Sequence, residues 1–145
     1  MILAGIGVGL VVAVALAWRV FSGGLAPSSE DLKRFSDRAG LVLPPTAEAP
    51  AFREDLLSLH DPKMYLRLEM PKADLASFLT ASKLDGELYN TERSDPATRY
   101  LGGFLPKHPE NFMEGQKSLE GGALNVLVDL DSPDKAVVYL LCFDI

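Results

Sequence analysis

The sequence predicts a small α+β domain carried behind a single N-terminal transmembrane helix. Three observations carry that expectation. The first side chain with a charge is Arg19, so residues 1–18 form an uncharged, apolar run. Two stretches near the C-terminus are strand-like and flank a turn. Between them and the run lie two segments whose apolar residues recur at helical spacing.

With Val20 and Phe21 the apolar run covers 1–21, enough to cross about 30 Å of hydrocarbon as a helix. Trp18 and Arg19 close it, an indole and a guanidinium that favour the membrane interface. Residues 22–27, with Ser22, Gly23, Gly24 and Pro27, read as a linker. Ala15-Leu16-Ala17 resembles a signal-peptidase site, but no Lys or Arg precedes the run, so a retained anchor is expected. No cysteine follows the run closely, which excludes a bacterial lipoprotein anchor. Gly5, Gly9, Ala13 and Ala17 recur every four residues and place small side chains along one ridge of that helix, suited to packing on another membrane helix. The basic residues after the run would hold the domain in the cytoplasm, yet only Arg19 is close to it. Export to the extracytoplasmic side of a bacterial inner membrane is the expectation.

Residues 28–145 form the soluble domain. Ser28 and Asp31 have the spacing of a capping box, and Leu32, Phe35 and Ala39 share a helical face up to Gly40. A helix over about 29–38 follows. Leu41-Val42-Leu43 ends at Pro44-Pro45, and Ala47 to Pro50 reads as extended. Phe52 to Leu59 fits either a strand or an irregular segment, and His60-Asp61-Pro62-Lys63 a turn. Met64, Leu66, Leu68 and Met70 alternate with Tyr65, Arg67 and Glu69, the period of a half-buried strand. Pro71 suits the first turn of a helix whose apolar face is Leu75, Phe78 and Leu79, ending near Ser82. Residues 83–119 lose all periodicity and read as a long irregular segment packed on the body by Tyr89, Tyr100, Phe104 and Phe112. Leu124, Val126, Val128 and Leu130 then alternate, Ser132-Pro133-Asp134-Lys135 turns, and Ala136 to Phe143 is apolar on both sides, as in a central strand. The result is an antiparallel sheet with a C-terminal hairpin and two helices on one face.

Composition removes function classes. The chain of 145 residues carries 14 Lys plus Arg against 20 Asp plus Glu, a net charge of -6, which argues against nucleic acid as a partner. Without Arg19, the domain has 13 basic and 20 acidic residues, a net -7, so anionic lipid alone would not hold it. One cysteine, Cys142, permits neither an internal disulfide nor a multi-cysteine metal site, and its strand position reads as inert core. Asp129, Asp131 and Asp134 lack the glycine and glutamate of a calcium loop and read as turn solvation. His60 and His108 lie in loops with no partner identified by spacing. There is no nucleophile elbow and no P-loop. The expectation is a non-enzyme with no cofactor and no metal.

Gly40-Leu41-Val42-Leu43-Pro44, the Asp61 turn, the Met64–Met70 strand, Leu75-Ala76-Ser77-Phe78-Leu79 and the Asn125–Asp129 to Val138–Leu140 hairpin resemble small membrane-anchored bacterial envelope proteins of unknown function. The resemblance implies an α+β fold and an envelope location, and no chemistry. Many such proteins are lipoproteins, from which this chain departs by lacking a lipidated cysteine. Two roles are expected. One is an accessory subunit that stabilises or assembles a larger membrane complex, respiratory or photosynthetic, with other membrane subunits and the bilayer as partners. The other is an independent envelope binding module, with Tyr89, Tyr100 and Phe104 contacting a ligand between the sheet and the 83–119 segment.

Overall fold

The structure, a computed structural model, describes residues 25–55, 62–89 and 109–144. Among the described residues, two helices and six strands follow in the order α1 (Ser29–Ala39), β1 (Glu48–Asp55), β2 (Lys63–Pro71), α2 (Lys72–Ala81), β3 (Leu88–Tyr89), β4 (Phe112–Leu119), β5 (Gly122–Asp129) and β6 (Lys135–Asp144). The strands form one sheet in the order β1-β2-β6-β5-β4-β3, and every pair is antiparallel. This is the α+β architecture expected.

Helix α1 starts as its capping box dictates. The Asp31 amide donates to Ser28 Oγ at 3.1 Å, and the Ser28 amide donates back to the Asp31 carboxylate at 3.3 Å. It stops at Gly40, whose φ of 63° is the left-handed conformation that glycine adopts without a Cβ penalty. Pro71 stands one position earlier than expected. It ends β2 and serves as the N-cap of α2, with Lys72 as the first helical residue. Ser82 is the C-cap.

Sheet alternation separates two faces. On the first, Leu66, Leu68 and Met70 of β2, Val138, Leu140 and Cys142 of β6, and Leu124, Val126 and Val128 of β5 pack with Phe35 and Ala39 of α1 and Leu75, Phe78 and Leu79 of α2. Both helices therefore cover the same face. Burying a side chain the size of Phe35 stabilises by about 1.5–3 kcal/mol. The second face carries Ala51, Tyr65, Phe112, Leu127, Tyr139 and Leu141, also buried. Strand β6 lies between β2 and β5 and is apolar on both faces, as its sequence predicts.

One open alternative is settled and one expectation needs correction. Strand β1 runs unbroken over Glu48–Asp55, where the sequence left Phe52 onwards open. Its pairing with β2 shifts register between Glu48 and Ala51, so Pro50 falls at a bulge of an edge strand, where a missing N–H is tolerated. The 83–119 segment is not irregular throughout, since it contains β3 and the whole of β4. The reason is visible in β4. Met113, Gly115 and Lys117 face the helices, so a glycine and a lysine occupy inward positions and erase the apolar period. A Cβ on Gly115 would lie 1.9 Å from the Glu87 carbonyl oxygen, so the close approach of β3 excludes any side chain there.

Among the described residues no helix is long and apolar enough to cross a membrane. The run 1–21, with Gly5, Gly9, Ala13, Ala17, Trp18 and Arg19, lies outside them, as do His60, His108, Tyr100 and Phe104.

Candidate functional site

The end of the sheet where β1 begins and β2 ends opens into a cleft of about 320 Å3. Met70 and Pro71, at the end of β2, supply its apolar lining. Glu48 of β1, Glu69 of β2, and Asp134 and Lys135 at the β5–β6 turn supply its charges, with Thr46 beside them. The walls are held from behind. The Thr46 hydroxyl donates to Asp74 of α2 at 2.6 Å, and the Lys72 amide donates to the Asp134 carbonyl at 3.0 Å. Glu69 is already shared between Arg67 at 2.6 Å and Lys135 at 3.6 Å. The cleft thus offers Glu48 and Asp134 as carboxylates to an incoming group, with Glu69 neutralised beside them.

The second sheet face continues from Glu69. The Arg67 guanidinium lies 5.8 Å from the centre of the Tyr139 ring, and Arg53 lies 4.3 Å from that of Tyr65. Both distances are within cation–π range. Burial pushes the Tyr139 phenol up, Asp129 and Glu69 add to this, and Arg67 opposes them. Glu114 of β4 and Asn125 of β5 are buried on the same face, and Asn125 accepts a hydrogen bond from Gln116 at 2.7 Å.

Other polar side chains are engaged in holding the fold. The Asp131 carboxylate accepts the amides of Glu110 at 3.0 Å and Asn111 at 2.7 Å, fixing the entry to β4. The acidic turn residue expected to face only solvent is therefore a structural anchor. Lys117 Nζ reaches the carbonyls of Ser82 at 2.9 Å and Ala39 at 3.3 Å. Cys142 is buried against the helices, and burial raises its thiol above the ordinary range. Among the described residues no group of three or more His, Cys, Asp or Glu side chains could hold a metal ion.

Of the residues singled out from sequence as ligand contacts, only Tyr89 falls among those described, opposite Glu114 where β3 meets β4. The structure does not bring it together with the cleft. Glu48, Glu69, Asp134 and Lys135 were missed as a group because they come from three separate strand ends, and no spacing in the chain foretells that β6 docks beside β2. Comparison with protein-family models, with curated proteins and with solved structures finds no match to this chain.

Proposed function

We propose that this chain is a non-enzymatic, membrane-anchored accessory subunit that stabilises or assembles a larger membrane complex. In this reading residues 1–21 span a bacterial inner membrane once, and the acidic α+β domain stands on the extracytoplasmic side. The observation that carries it is the uncharged run closed by Trp18 and Arg19, with the ridge Gly5, Gly9, Ala13 and Ala17 along it. Within lipid, water expulsion no longer drives helices together, so association depends on close packing, which small residues allow. The domain adds support. Asp131 and Lys117 are tied into the fold, and the cleft's remaining carboxylates, Glu48 and Asp134, suit contact with a cationic group of a partner. Other membrane subunits and the bilayer are its partners, and nucleic acid is not.

The test is gentle solubilisation of the full chain from its native membrane followed by mass measurement, with Gly9→Leu as the probe. A bulky side chain on the ridge pushes a partner helix away, while insertion persists because Leu is at least as apolar as Gly. The expected result is a complex heavier than the chain, with less partner recovered for Gly9→Leu and full recovery for Val12→Leu, which lies off the ridge. A lone monomer would overturn the reading.

A further inference from the structure

The first described residue fixes where the domain can stand. The Leu25 carbonyl accepts the Phe52 amide at 2.7 Å, and the two residues pair as an antiparallel bridge on the outer edge of β1. Leu25 spends its backbone on the sheet and leaves its side chain 63% exposed. Only Ser22, Gly23 and Gly24 separate it from Phe21, the last apolar residue of the run. Four Cα-to-Cα steps reach at most about 14 Å. The headgroup layer on one side of a bilayer takes up roughly 5–8 Å of that.

We propose that the flank of the domain formed by Leu25, β1 and α1 rests on the phospholipid surface, with the Leu25 side chain in the headgroup layer. This rests on the membrane-anchored reading above and adds an orientation to it. The sheet edge, rather than either sheet face, is turned to the bilayer. The two elements of the flank are joined, because Arg34 of α1 bonds Glu54 of β1 at 2.8 Å and the Phe35 and Phe52 rings meet edge-on at 6.4 Å. The short tether, not charge attraction, brings the flank to the bilayer. Helix α1 balances Glu30, Asp31 and Asp37 against Lys33, Arg34 and Arg38, and β1 adds Glu48, Glu54 and Asp55 against Arg53, so the flank is mildly acidic. Strand β4 lies four strand spacings from β1, about 19 Å farther along the sheet.

The experiment reconstitutes the full chain in vesicles of phosphatidylcholine and phosphatidylglycerol, with a nitroxide attached in Leu25→Cys or in Glu120→Cys. Glu120 is exposed in the turn after β4, and Cys142 is buried away from the label. Collisions with oxygen, which dissolves in lipid, are compared with those of a water-soluble nickel chelate. Extraction with alkaline carbonate is run on the same vesicles. The expected result is carbonate resistance, with an oxygen-to-nickel ratio several-fold higher at position 25 than at position 120. Equal ratios in a carbonate-resistant protein would overturn the proposal and leave the anchor standing. Release by carbonate would overturn both.

Discussion

Replacing Lys117 by Met should loosen both helices at once. The ammonium group reaches the Ser82 carbonyl at 2.9 Å and the Ala39 carbonyl at 3.3 Å, the C-terminal ends of α2 and α1. Helix C-termini leave carbonyls unpaired and carry partial negative charge, so one cation on β4 serves two helix ends. A hydrogen bond from a charged donor contributes about 1.5–2 kcal/mol, and the longer contact about half of that. Against this, burial penalises the ammonium and nearby Lys83 repels it, which together lower the Lys117 pKa. The ammonium is only half-buried, so that penalty is small beside the two bonds and leaves a net loss of about 2 kcal/mol for Lys117→Met. Unfolding entropy near 2.1 cal/mol/K per residue over residues 28–145 converts this to a fall in Tm of about 8 °C. Thermal unfolding of the full chain in detergent micelles, followed by near-ultraviolet circular dichroism, reads it directly. The pH dependence supplies a second signature. The folded amine gives up its proton below 10.5, so between the two values the unfolded chain binds more protons, and stability from this group rises with pH. The Met variant should lack that rise. A Met variant as stable as the parent would refute the reasoning, because desolvating the half-buried charge would then cost as much as its two bonds return.

Gly115→Ala places a Cβ 1.9 Å from the Glu87 carbonyl oxygen and must part β3 from β4. A loss of about 2 kcal/mol is expected, with faster amide exchange at Leu88 and Tyr89, and unchanged exchange there would count against the packing described. Ser28→Ala removes the N-cap of α1 and should cost about 1 kcal/mol in a denaturant titration. The Ser28 hydroxyl and backbone, with Arg34, hold the Asp31 carboxyl below its ordinary 3.8. That stability is present above pH 3.8 and is lost as pH falls through the lowered folded value, so the acid limb of unfolding should flatten in Ser28→Ala. Cys142 is buried and its thiol is pushed up by desolvation, so iodoacetamide at pH 8 should modify it only at the rate at which the domain opens. Rapid modification of the folded protein would contradict its place in the core.

Local structure was legible wherever short-range physics sets it. The Ser28 to Asp31 spacing and Gly40 mark both ends of α1 because capping depends on neighbouring residues alone. The strict alternation of β2 and the two-sided apolar character of β6 announce a half-buried strand and a central one. Strand β4 gave no such signal. Its inward Gly115 answers to the Glu87 backbone and its inward Lys117 to two helix ends, partners distant in sequence. The same reason hid the roles of Asp131 and of the cleft carboxylates, since each acquires its partner only when separate strands meet.

The sequence by itself determined the α+β class, the capped helix, the C-terminal hairpin and the uncharged run on which the membrane reading depends. Each of these follows from composition or from contacts within a few residues. Only the tertiary structure decided that β6 inserts between β2 and β5, that the cleft forms where β1, β2 and the β5–β6 turn converge, and that Leu25 is pinned to the edge of β1. Those facts depend on strand pairing between distant segments. The backbone hydrogen bonds that make such pairs are common to all sequences, so the choice of neighbour falls to the fit of whole buried faces.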